Sequence, residues 1–195
     1  MKVTTPYERV TEVNNCRILS LYIQAGIGLG QIPYNLFNQK LTLGVGDKKD
    51  LVIQASSQTE ATIKWVADNL RLVTTGTCFV AIDEALDEML GEKPETYMDN
   101  DSDSLRAVIY MTRCAFAHNP ASPVWQIKTK YRKVFKIKPI NFEIDLRQLN
   151  GKALDYSHFG GFMYMHELIL HSMAIIKKYN EEAITKQGAT ISTNN

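Results

Sequence analysis

Apolar residues recur at three- and four-residue steps in four stretches of this chain and at two-residue steps in one. That change of period predicts four helices and a β-rich insertion. The first helix is expected over about residues 6 to 25, carrying Val10, Val13, Leu19, Tyr22 and Ile23, and the glycines at 26, 28 and 30 end it. Between 31 and 56 the pattern is mixed, with "LTLGVGDKKDLVIQ" reading as a turn between two short pieces, extended or helical. Ser57 and Glu60 then form a capping-box pattern ahead of Ile63, Val66, Leu70, Val73, Phe79, Ile82, Leu86 and Leu90. They predict one long helix, or two joined near Gly76.

A third helix starts at "DNDSDS", where Asp101 or Ser102 can cap. It runs through Leu105, Val108, Ile109 and Phe116 until Pro120 removes the backbone donor that a helix needs. Asn119 precedes that proline and is pushed out of helical geometry, which leaves His118 in the last turn. Next, Ile127, Tyr131, Phe135 and Ile137 alternate with Lys128, Lys130, Arg132, Lys136 and Lys138. After Pro139, Ile140, Phe142, Ile144 and Leu146 alternate with Asn141, Glu143, Asp145 and Arg147. Two period-two runs joined at a proline predict a β-hairpin, over about 124–147, with one apolar and one charged face. Asn150-Gly151 marks the turn that follows. A final helix is expected from about 158 to 180, with Phe162, His166, Ile169, Leu170, Met173 and Ile176 inward. The pattern makes residues 1–184 a single domain and the polar stretch 185–195 a disordered tail.

Composition narrows the class. With 195 residues, 45% hydrophobic and 22% charged, the chain has the make-up of a globular protein able to bury a core. Its net charge of +1 gives no global pull toward nucleic acid or membrane, so any basic surface is local. Cys16, Cys78 and Cys114 form neither a paired set nor a CxxC spacing and read as buried free thiols in a reducing compartment. No signal peptide and no run of roughly 20 clean apolar residues appears, and a cytoplasmic protein is expected.

Among candidate chemistries, "GIGLG" follows a helix instead of a strand and lacks the third glycine of a dinucleotide fingerprint. In "HELILH", His166 and His171 stand five residues, about 140°, apart around a helix, so no metal pair is expected on one face. No cofactor or metal is called for. The row Lys128, Lys130, Arg132 and Lys136 has two readings, contact with a sugar-phosphate backbone or a solvated strand edge. Glu143 and Asp145 on the partner strand favour the edge.

"RCAFAHNPASPVW", residues 113–125, followed by the strand pair and a "FGG" opening the last helix, resembles the HEPN superfamily with its R-x4-6-H motif. It is most similar to the branch with an RNAFAH-like core and a β-hairpin before the last helix; the likeness runs from about Leu105 to Ile176. The resemblance implies a mainly α HEPN-like helical bundle with a small β-hairpin insertion, paired as a homodimer. It also implies a metal-independent endoribonuclease of the toxin or phage-defence kind, with RNA as substrate, an antitoxin or other protein as a further partner, and Arg113 and His118 as catalytic residues. Metal-free RNA cleavage needs a base for the 2′-OH, an acid for the leaving 5′-oxygen and a cation on the phosphorane. Histidine titrates near neutrality, and a guanidinium forks onto two phosphate oxygens.

Active relatives usually carry a polar residue directly after the arginine, and here that position is Cys114, with Asn119 as a partial substitute. The retained Arg and His favour the enzyme. The cysteine favours a non-catalytic HEPN-like module that binds RNA or protein.

Overall fold

The computed structural model describes residues 4–45, 49–53, 58–91, 93 and 100–192; for 41–53 and 186–192 only the backbone path is considered. The chain is mainly helical, with a bundle of four long helices and a β-hairpin packed against it. α1 spans Pro6–Gly28, β1 Leu41–Val45, β2 Lys49–Ile53, α2 Glu60–Leu90 and α3 Asp101–Ala117. β3 spans Val134–Ile137, β4 Phe142–Asp145 and α4 Phe162–Ser192.

α1 begins at a capping box in which Thr5 Oγ1 accepts the Glu8 N–H and the Glu8 carboxylate accepts the Thr5 N–H, with Pro6 at the first helical position. It continues through Gly26, three residues past its expected end, because the chain folds straight back and the Gln31 and Ile32 N–H groups bond to the Gly26 carbonyl. The unassigned stretch after it contains an antiparallel β1–β2 pair, from Leu41↔Ile53 to Val45↔Lys49. Ser57 lies outside the described residues. The cap of α2 is Thr59, whose hydroxyl accepts the Thr62 N–H at 3.2 Å.

α2 is one helix through Gly76. There a Cβ would come within 2.7 Å of Phe116 Cδ1, so the missing side chain lets α3 pack close, and the Phe116 and Phe79 rings stack at 6.3 Å. The cap of α3 is Asn100, one residue earlier than the sequence suggests; its Oδ1 accepts the Asp103 N–H at 2.8 Å.

The hairpin has the expected facing but is shorter than the alternation implies. Thr129–Tyr131 forms a 3-10 turn before β3, and Lys138–Ile140 forms another around Pro139, closed by Asn141 at φ 47°. β3 and β4 pair antiparallel, Phe135 opposite Ile144 and Ile137 opposite Phe142, and all four are buried. On the outer face Lys136 meets Glu143 at 2.9 Å.

The last helix starts at Phe162, after a 3-10 turn at Tyr156–Phe159, and runs to Ser192, into the stretch expected to be a disordered tail. Its Glu, Ala, Lys and Gln residues carry helix propensity even where nothing apolar is buried.

The core centres on α3, where Leu105, Val108, Ile109, Met111, Ala115 and Phe116 are buried beneath Trp125, Phe135, Phe142, Phe159, Met165 and Ile169. α1 departs from expectation. Leu19 and Tyr22 are 60% and 72% exposed, while Asn14, Arg17 and Ser20 are buried between helices. Val66, Leu70 and Val73 of α2 are likewise exposed, and Leu170 of α4 faces solvent instead of the core. Of the three cysteines only Cys78 is fully buried; Cys16 is exposed and Cys114 half-buried, because the face of α1 that carries Cys16 is the one turned outward. No helix among the described residues is long and apolar enough to cross a membrane.

Candidate functional site

The carboxyl end of α3 is where local sequence and long-range packing meet. Pro120 ends the helix, His118 caps it at φ −91°, ψ −37°, and Asn119 builds the turn: its Oδ1 accepts the Ala121 N–H at 3.2 Å. The chain then runs back along the helix it has just left. Val124 N–H bonds to the Ala115 carbonyl at 3.2 Å, and Val124 pairs with Ala153 in an isolated antiparallel bridge. Trp125 anchors this return. It is wholly buried, its indole N–H donates to His158 Nδ1 at 3.0 Å, and its backbone bonds to Lys152 and Gly151. Gly151 takes φ 79°, the conformation in the turn after Asn150 that glycine adopts without strain.

These constraints open a cleft of about 470 Å³. One wall is α3, with Tyr110, Arg113, Cys114, Ala117 and His118; the other is Gln126, Ile127, Lys128 and Asn150. Arg113 and His118 therefore face the same space, as the motif requires. Among the described residues neither side chain makes a hydrogen bond or ion pair. The carboxylate whose charge reaches Arg113 is Asp83 on α2, and it is already engaged with Lys93 at 3.1 Å. Burial raises the Asp83 carboxyl above its ordinary value, opposed by Lys93 and, more weakly, by Arg113.

The remaining residues singled out from sequence separate. Cys114 lines the cleft beside Arg113. Asn119 is exposed, committed to its turn, and not among the lining residues. Of the four basic residues, Lys128 lies in the cleft and the others do not: Lys130 sits over the Tyr131 ring, Arg132 donates to the Ile127 carbonyl at 3.4 Å, and Lys136 pairs with Glu143. The structure thus does not gather them into one basic row, because the 3-10 turn at Thr129–Tyr131 breaks the strand alternation.

Tyr110, Gln126 and Asn150 are cleft residues that the sequence did not single out. Tyr110 had a signal, since position 110 lies one helical turn before Arg113 on the same face. Gln126 and Asn150 had none, because only the fold brings residue 150 to residue 127, where Asn150 Oδ1 accepts the Ile127 N–H at 2.8 Å.

A second groove of about 420 Å³ lies between α1 and α2, lined by Ile23, Ile27, Phe37, Val66 and Leu70 among others. It is nearly all apolar and holds none of the motif residues. His166 and His171 form no metal cluster with other ligating groups among the described residues. Compared with family models, curated proteins and solved structures, the chain matches none.

Proposed function

We propose that the protein is a metal-independent endoribonuclease of HEPN type, acting as a homodimer on single-stranded RNA. One observation carries this reading: Arg113 and His118 face one open, positively charged cleft and neither is occupied by another described residue. His118 would take the proton of a substrate 2′-OH, whose oxygen then attacks the adjacent phosphorus. The bond to the 5′-oxygen breaks, leaving a 2′,3′-cyclic phosphate and a 5′-hydroxyl. Arg113 would fork onto the non-bridging oxygens as their charge grows. The leaving oxygen needs a proton from a second group, and the cleft supplies one imidazole, so a second copy donating its own His118 completes the acid/base pair.

A second reading is favoured by Cys114, which faces the cleft where a polar group would assist catalysis and offers only a weak hydrogen bond. In that reading the cleft binds RNA or a protein partner without cutting RNA.

Incubation with labelled single-stranded RNA in EDTA tests both. Cleavage to cyclic-phosphate ends, sparing of DNA of the same sequence, and a rate loss on the order of a hundredfold in His118→Ala and Arg113→Lys support the enzyme. Binding without cleavage supports the module. Cleavage that needs Mg²⁺ or survives His118→Ala overturns the mechanism. A monomer in light scattering, unchanged by RNA, removes the second histidine.

A further inference from the structure

Lys128 differs from the other basic residues around the hairpin. Its ammonium donates to the Tyr110 hydroxyl at 3.1 Å and lies 5.5 Å from the centre of that ring, and no carboxylate among the described residues pairs with it. Lys136 is neutralised by Glu143, and Lys93, over the same Tyr110 ring at 4.8 Å, is held by Asp83 and Asp87. Lys128 is tethered by a phenol, which fixes its position and leaves its charge uncompensated.

Tyr110 stands one helical turn from Arg113, so its tether sets a second cation on the cleft that Arg113 lines. Asn150 adds a directed donor. With Oδ1 spent on the Ile127 N–H, its amide Nδ2 has no hydrogen-bond partner among the described residues. The nine lining residues thus include two cations, an imidazole and two amides, and no carboxylate. An acceptor-rich anion with more than one phosphate suits that wall better than a lone anion, which Arg113 by itself could hold.

We infer that Lys128, positioned by the Tyr110 hydroxyl, binds the phosphate adjacent to the one held by Arg113, so that the cleft of a single subunit grips two successive phosphates of a single strand. The inference takes its ligand class from the ribonuclease reading. Tyr110 is a positioning residue here; Lys128 touches the strand.

The test uses the full chain and a fluorescein-labelled 2′-O-methyl RNA decamer, which binds but cannot be cut because the attacking hydroxyl is blocked. Anisotropy titrations across a salt series should show Lys128→Met weakening binding about fivefold to tenfold and flattening the log Kd against log salt slope by about 0.7, the release of one counterion from a single strand. Tyr110→Phe keeps the ring and removes the tether; its loss should be smaller, about twofold to threefold, with Lys128→Arg recovering most of the wild-type affinity. Lys136→Met, outside the cleft, should match wild type. With cleavable RNA, Lys128→Met should raise KM and leave kcat within about twofold, since the contact is made equally in ground and transition states.

An unchanged salt slope in Lys128→Met, an equal loss in Lys136→Met, or no binding of the decamer by the wild type overturns the second phosphate site. Loss confined to Lys128→Met, with Tyr110→Phe like wild type, removes the positioning role of Tyr110. If the decamer binds as expected and ordinary RNA is not cut, the nuclease reading falls and the phosphate site stands. If RNA is cut and Lys128→Met changes neither slope nor KM, the reverse holds.

Discussion

α1 and α3 are both central helices, yet the balance of apolar and polar residues they bury differs. α3 buries a mainly apolar set, Leu105, Val108, Ile109, Met111 and Phe116 among them, with Ser104, Arg106 and Thr112 beside them, and leaves a strip with Tyr110, Arg113 and Ala117 next to His118 open to the cleft. α1 buries Asn14, Arg17 and Ser20 and turns Leu19 and Tyr22 to solvent. Its interior is held by directed bonds: Arg17 Nε and Nη2 donate to Asn14 Oδ1 at 3.0 and 2.9 Å, Nη2 lies 2.8 Å from His166 Nδ1, and the Ser20 and Thr74 hydroxyls meet at 2.8 Å.

No carboxylate among the described residues pairs with Arg17. Burial lowers its pKa, the Cys78 thiol beside it is pushed up to about 11 by its own burial, and Arg17 Nη1 finds no hydrogen-bond partner among the described residues. The difference separates two ways of making an interior. Around α3 most of the buried surface is apolar and closely fitted, and its one buried arginine, Arg106, is paired with Asp87. Around α1 the buried arginine has no such carboxylate among the described residues and depends on Asn14 and His166.

The sharpest way to break the α3 side is Trp125→Ala. It empties a fully buried site and removes one of the two donors to His158 Nδ1, and should cost about 3–5 kcal/mol in urea unfolding. Gly76→Ala comes next. Its Cβ would meet the Phe116 ring and the cost should be about 1–3 kcal/mol, whereas Gly28→Ala at the end of α1 meets nothing within 4 Å and should change stability by less than about 1 kcal/mol. Thermal unfolding of the two variants measures how much tighter the α2–α3 contact is than the end of α1.

On the α1 side, Asn14→Ala leaves the guanidinium buried with fewer acceptors and should cost about 1–3 kcal/mol. Arg17→Met removes the unbalanced charge at similar volume and should fall within about 1 kcal/mol of wild type, or above it. If Arg17→Met is the more damaging of the pair, the polar interior is contributing net stability.

The smallest effect is in pH. The folded pKa of His166 is lowered, first by burial and then by Arg17, although Glu167 opposes this. The unfolded chain therefore binds the proton more readily. The stability contribution is complete above the ordinary histidine value of about 6.5 and declines as pH falls below it. Melting temperature followed from pH 7.5 to 5 should drop, and less steeply in Arg17→Met, where the second cause is gone. An equal slope in both proteins would mean that Arg17 does not influence this titration.

Much of the framework was written locally. Pro120 stops α3, the charged and apolar residues of 134–145 alternate on a pleat, Gly151 follows Asn150 in a turn, and the four-plus-one order of helices and hairpin follows from the change in period. Arg113 and His118, five residues or about 140° apart around a helix, were legible as a motif, whereas their facing one cleft was decided by the fold.

The orientation of α1 was not legible in the same way. Its polar and apolar residues are interleaved, so periodicity defines a helix without defining which side is inside. That choice was made by what α2 and α4 present to it, Thr74, Cys78 and His166. The run to Ser192 and the early start at Asn100 were set by propensity and caps that apolar spacing does not record. The opposite wall of the cleft belongs wholly to tertiary structure. Residues 126, 128 and 150 reach Arg113 only because Trp125 is buried and its backbone is bonded to 151 and 152, and a contact between residues so far apart in sequence leaves no trace in the local pattern of either.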